Sequence, residues 1–264
     1  MDVNLRDDVV ILQRSRAGRR IELLQRFEVT DDGRIIHLPL VAQRLLAFLA
    51  LSDRPQARTH AAGVLWPDAD EHHASANLRS TLWRLRSISP PLVLREPSLR
   101  LSPGISVDVR HGYAMASGAL NPVVPLADLG PDPTSWFAED LLPDWNEDWV
   151  LIERERFRQV RLHALEALCD RFAEAGLMMQ AIEAGFAAVT ADPFRESGHR
   201  ALIRAHLREG NRSEAIRQYR LYRKILDEEL GIEPSLGLSE MLSGFTLVPP
   251  LPTTLPGDTA VTPR

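Results

Sequence analysis

ALCDRFAEAGLMMQAI at residues 167–182 and ALIRAHLREGNRSEAI at residues 201–216 align without a gap, thirty-four positions apart. Ala167, Leu168, Gly176, Ala181 and Ile182 return as Ala201, Leu202, Gly210, Ala215 and Ile216. A period of that length belongs to solenoids built from helix pairs, where the glycine occupies the turn and the small residue lets two helices approach closely. Such arrays bind partners and seldom catalyse. The C-terminal half therefore reads as an interaction module, and the segment upstream has to say what it serves.

Helical periodicity extends outward from the repeat, with helices expected over 149–175, 178–190, 194–209, 212–229 and 235–243. Asp192-Pro193, Gly231 and Pro234 supply the breaks. Residues 246–264 are proline-rich with few apolar anchors and read as a disordered tail. Residues 113–148 contain Pro122, Pro125, Pro131, Pro133 and Pro143 with Gly118 and Gly130, and read as a connector carrying at most a short helix.

Composition narrows the function classes. At 264 residues the chain has room for two domains. It lacks an apolar run long enough to span a bilayer, and the N-terminus has no signal-peptide core, so a cytoplasmic location is expected. The single cysteine, Cys169, lies on an apolar helical stretch and reads as a buried small hydrophobe. Charge divides unevenly. Residues 1–112 hold 16 arginines against 13 acidic residues, a balance of +3, while the remainder holds 15 basic and 23 acidic residues, a balance of −8. A modestly basic domain joined to an acidic one is compatible with nucleic-acid binding without requiring it.

The N-terminal half reads as follows. Residues 1–20 are polar and arginine-rich, a flexible arm. Ile21 to Val29 and Arg34 to Leu38 flank the turn signal Asp31-Asp32-Gly33 and form a hairpin. Leu45, Leu46, Phe48, Leu49 and Leu51 mark an apolar helix. Thr59 is a candidate N-cap for a short helix reaching Leu65 and Trp66. The next helix, 71–87, carries two stripes: Leu78, Leu82 and Leu85 on one, Asn77, Ser80, Thr81 and Arg84 on the other. Leu92 to Arg95 and Leu99 to Leu101 then form a second hairpin around Glu96-Pro97-Ser98. Strand pair, three helices and hairpin is the order of a winged helix-turn-helix with an N-terminal sheet, here over 21–112.

No enzyme signature is present. There is no phosphate-cradling glycine loop, no Gly-x-Ser-x-Gly elbow and no HExxH pair, and His72 and His73 are adjacent rather than on one helix face. No catalytic residue, cofactor or metal is expected. The helix at 71–87 instead suits DNA: one stripe buried in its own domain, the other short-limbed and basic enough to enter a major groove. Arg95 and Arg100 on the following hairpin are placed to touch the backbone or the adjacent minor groove.

Gln43-Arg44-Leu45-Leu46-Ala47-Phe48-Leu49, Leu65-Trp66 and Arg84-Leu85-Arg86 resemble the winged-helix half of the Streptomyces antibiotic regulatory protein family of transcriptional activators. Glu153-Arg154-Glu155-Arg156-Phe157, Asp192-Pro193-Phe194-Arg195-Glu196, His199-Arg200 and Glu229-Leu230-Gly231-Ile232-Glu233-Pro234-Ser235 resemble the bacterial transcriptional activator domain that accompanies it. The resemblance covers about residues 20–245. It departs at Val41-Ala42, where the family often has a basic residue, and at the wing, Arg95 through Pro103, which lacks the usual Gly-Tyr. The chain ends soon after the helical domain without an ATPase module, as in the small members.

The resemblance implies a mainly α protein with a small β component: an OmpR-like winged helix followed by an all-α tetratricopeptide-like domain over 149–245. It implies a sequence-specific activator that binds promoter repeats as a homodimer on DNA, recruits RNA polymerase, controls a biosynthetic gene cluster and associates with the nucleoid. The candidate DNA-contacting set is Arg44, Thr59, Asn77, Arg79, Ser80, Thr81, Arg84, Arg86, Arg95 and Arg100. If the winged helix is an independent reader, a fragment ending near Gly112 should fold and bind one site weakly. Two alternatives stay open: a protein-interaction adaptor whose winged helix does not bind DNA, and a regulator with a small-molecule ligand in the helical repeats. Salt-dependent binding to promoter DNA separates the first from the activator.

Overall fold

The computed structural model describes residues 18–243, so the arm expected over residues 1–17 and the tail expected over 246–264 lie outside the described residues. The chain begins with β1 (Arg19–Glu22), β2 (Glu28–Asp31) and β3 (Arg34–Ile35). Three helices follow, α1 (Leu40–Leu51), α2 (Arg58–Leu65) and α3 (Glu71–Arg84). Two further strands, β4 (Val93–Leu94) and β5 (Arg100–Leu101), form the wing hairpin. β6 (Ser106–Val107) then returns parallel to β1, completing a four-stranded sheet of order β3-β2-β1-β6.

This is a winged helix with an N-terminal sheet, as its pattern suggests, with local departures. The expected strand from Ile21 to Val29 is two antiparallel strands. Between them Gln25 takes φ 71°, and the Leu23 and Leu24 N–H groups donate to the Asp108 carboxylate at 2.8–2.9 Å instead of to a ladder partner. The expected arm over 1–20 overlaps regular structure, since Arg19 and Arg20 are in β1. Thr59 is not an N-cap: Ala57 occupies that position, in extended conformation, and Thr59 is exposed one residue inside the helix.

The largest revision concerns 113–148. A helix, α4 (Asp108–Leu120), runs through the expected boundary at residue 112, and two 3₁₀ turns, Leu126–Leu129 and Pro133–Phe137, follow it. Met115, Ala116, Ala119, Leu129 and Phe137 are buried in one core with residues of the helical half. Leu141 and Leu142 are buried in the winged-helix core, together with Val150 and Phe157. The prolines shape the 3₁₀ turns, and the segment packs on both sides rather than linking two bodies.

The remaining helices are α5 (Asp148–Glu174), α6 (Met178–Ala191), α7 (Glu196–Glu209), α8 (Arg212–Leu230) and α9 (Leu236–Glu240), close to the expected bounds. The thirty-four-residue repeat is physical. Gly176 and Gly210 both take positive φ, 78° and 84°, at the turns after α5 and α7, which a residue with Cβ would resist. Leu168 and Leu202, and Ala181 and Ala215, are fully buried. Register-equivalent positions of successive repeats also pair: Arg204 with Asp170 at 2.6 Å and Arg208 with Glu174 at 3.9 Å. Gly185 completes the close approach, because a Cβ there would sit 2.9 Å from Leu202 Cδ1 and 3.2 Å from Cys169 Sγ. The Cys169 thiol is itself enclosed, and burial pushes it up to about 12, so it behaves as the inert small hydrophobe its neighbours suggested.

Candidate nucleic-acid interface

Helix α3 is built to bury one stripe and expose the rest. Asp70 caps it, accepting the His73 N–H at 2.8 Å, and this hydrogen bond holds the Asp70 carboxyl below the usual range. Ala74, Leu78, Leu82 and Leu85 are buried in the winged-helix core. Asn77, Arg79, Ser80, Arg84 and Arg86 are exposed.

Thr81 is a correction to the expected face. It is 2 % exposed, and its hydroxyl donates back to the Asn77 carbonyl at 2.9 Å. Position 81 is i+4 from Asn77 but also i+3 from Leu78, and the core stripe is wide enough to claim it. In its place the face presents Trp83, 69 % exposed, which lies at i+4 from Arg79 and i−3 from Arg86. A large aromatic kept on the polar side of an amphipathic helix is the sequence signal for this position.

Two other arginines are engaged inside the domain. Arg44 donates to the Leu65 carbonyl at 2.8 Å and holds its Nε 3.0 Å from Glu147 Oε1, an electrostatic contact without hydrogen-bond geometry. It ties α1 to the end of α2 and to the segment entering α5, and so is not a free contact for DNA. Arg95, half-buried, donates to the Leu82 carbonyl at 2.7 Å. Burial, and then the nearby Arg86 and Arg58 charges, depress its pKa from the ordinary guanidinium value. Arg100 is exposed on β5 beside the buried Leu101, with strand alternation turning its side chain outward.

Arginine pairing varies within each half, and Arg19, Arg20, Arg26 and Arg44 of the winged-helix half reach carboxylates. In the helical half Arg158, Arg161, Arg195, Arg200, Arg204 and Arg223 each pair with a carboxylate. Among the described residues, Arg79, Arg84, Arg86 and Arg100 have no carboxylate within ion-pairing distance. Near the start of α3, Asp70, His72 and His73 bring ligand atoms within 4.8 Å of one another, closer than their adjacency in sequence suggested. All three are exposed, and Asp70 is already engaged with the His73 ring at 2.7 Å.

The bacterial transcriptional activator domain family matches residues 134–243, which includes the end of the proline-rich segment 113–148. The Regulatory protein AfsR of Streptomyces coelicolor is 30 % identical over 236 residues, covering 80 % of this chain and 22 % of that protein. The Streptomyces griseus protein of the same name is 34 % identical over 89 residues, covering 34 % of this chain and 9 % of that protein. The chain thus spans about a fifth or less of the length of these curated relatives. A solved structure of Mycobacterium tuberculosis EmbR in complex with low affinity phosphopeptide has TM-score 0.67 at 21 % identity, covering 84 % of this chain and 63 % of that one, a likeness of fold. The activator-domain match over residues 134–243, the winged helix, the helical repeat and the likeness to AfsR over 80 % of this chain are consistent with the Streptomyces antibiotic regulatory protein family.

Proposed function

We propose that this regulator is a sequence-specific DNA-binding activator in which α3 enters the major groove and the wing touches the flanking backbone. The helical half would arrange copies on repeated promoter sites, organise a homodimer there and contact RNA polymerase. Gene-cluster control and a place at the nucleoid follow from that role. The observation that carries the reading is the group of exposed arginines gathered on α3 and β5, none within ion-pairing distance of a carboxylate among the described residues, whereas Arg158, Arg195 and Arg204 of the helical half are paired. Unpaired guanidinium groups are free to displace counterions from phosphates and to reach guanine edges. The adaptor alternative gives no reason for leaving these arginines unpaired.

Arg84→Ala is the direct test, since the Arg84 side chain makes no hydrogen bond or ion pair among the described residues and its loss leaves the fold intact. After selecting preferred sites from randomised DNA, anisotropy titrations should show binding at the best site weakened by about 1–3 kcal/mol, with relaxed preference at one base position. Uniform weakening at all sequences would demote Arg84 to a phosphate contact. Unchanged binding everywhere would remove α3 as the reading element.

A further inference from the structure

Between the N-terminus of α2, the outer face of α3 and the wing loop lies a shallow depression lined by Arg58, Arg79, Arg86 and Arg95, with Trp83 as one wall and Glu96 at its rim. Three separate chain segments deliver these four guanidinium groups to one place. Arg58 donates to the Arg95 carbonyl at 3.0 Å, and Arg95 to the Leu82 carbonyl at 2.7 Å, so two of the four are fixed by the backbone. Arg79 and Arg86 carry no such restraint. No carboxylate of the described residues lies within ion-pairing distance of any of the four, Glu96 included.

Like charges held together in a concave site repel unless an anion enters. Burial first, and then the Arg86 and Arg58 charges, depress the pKa of Arg95, so the neighbouring guanidinium groups act on one another here. We propose that this depression is a phosphate-binding site, in which Arg58, Arg79 and Arg86 hold a phosphoryl group and Arg95 positions them. The planar forks of several arginines suit a tetrahedral oxyanion better than a point charge does. Trp83 offers a flat apolar wall of the kind that packs against the sugar next to a backbone phosphate. The phosphoryl group is that of a nucleic-acid backbone or of free phosphate. The first source rests on the DNA reading of α3, while the site itself does not.

Two measurements on the full chain separate these sources. Thermal unfolding in inorganic phosphate against chloride at matched ionic strength should show an added rise in midpoint with phosphate. Arg86→Ala, an exposed and unpartnered residue, should remove that rise, Arg86→Lys should restore part of it, and Glu96→Gln should enlarge it by removing the one acidic group at the rim. In DNA titrations, Arg86→Ala should flatten the log–log salt slope by about one unit with sequence preference retained, and Glu96→Gln should tighten binding to all sequences. A lost phosphate response with an unchanged slope assigns the site to free phosphate. A flattened slope without a phosphate response assigns it to the polymer. If wild type answers phosphate but binds no DNA, the activator reading fails and the site stands. If phosphate matches chloride and the slope is the same in Arg86→Ala, the depression is not a phosphate site.

Discussion

A chain stopped after Gly112 should be unfolded at room temperature, showing no cooperative urea transition where the full protein shows one. The cut falls inside α4, and it removes Leu141, Leu142, Val150 and Phe157, all at most 1 % exposed within the winged-helix core. Burying an aliphatic or phenyl side chain contributes about 1.5–3 kcal/mol, so these four supply on the order of 6–12 kcal/mol. That is comparable with the whole stability of an ordinary domain. Polar contacts go with them: the Leu24–Leu141 bridge, and the Arg154 guanidinium that gathers the carbonyls of Leu141, Leu142 and Trp145. Gly112 itself packs on Phe157, whose ring lies 3.1 Å from where a Cβ would stand. A fragment carried through α5 to Ala175 keeps these contacts and should recover a transition. Circular dichroism during urea titration of both fragments decides the matter. A two-state transition in the short fragment matching that of the full chain would show that the winged helix is an independent body after all.

The contrast between the expected fragment and the one the structure demands locates what sequence could show. Features set by nearest neighbours along the chain were legible. Gly176 and Gly210 had to supply positive φ at equivalent turns, and the Leu78–Leu82–Leu85 stripe had to face inward, because spacing alone fixes both. The unity of the two halves was not legible, because it depends on contacts distant in sequence, such as the Leu142 N–H with the Leu23 carbonyl and Arg44 with Glu147, and on a proline-rich segment whose composition imitates a linker. Within the site the same rule applied. The exposed Asn77, Ser80 and Arg84 followed from the helical wheel, whereas the engagement of Arg44 by Glu147 and of Arg95 by the end of α3 required the folded arrangement. The arginine depression draws on residues from 58 to 96, and no single window of sequence contains it.

Asp108→Ala should destabilise the full protein by about 2–4 kcal/mol, more than any exposed arginine substitution. Its carboxylate accepts the N–H groups of Leu23 and Leu24 and, at 2.6 Å, of Val109, so it closes the β1–β2 turn onto the start of α4. Alanine leaves those donors without an acceptor in a half-buried place, at up to about 1–3 kcal/mol for each one left unmade, softened by water and by whatever the turn relaxes. The pH dependence identifies the group. Burial raises the Asp108 pKa from the usual 3.8 to about 6, against the opposing pull of its three N–H donors. Between those values the folded state binds the proton and the unfolded chain releases it, so the stability carried by Asp108 is greatest below about pH 4 and falls as pH rises to about 6. Alanine has no such titration. The difference between wild type and Asp108→Ala should therefore widen by about 1 kcal/mol on going from pH 7 to pH 5. Urea unfolding of both proteins at the two pH values measures it, with Asp108→Asn as an uncharged control of similar size that should share the flat profile of alanine. A difference that stays the same between pH 7 and pH 5 would mean that the three N–H donors outweigh burial, and that Asp108 holds the junction as a carboxylate whose pKa is not raised above its ordinary value.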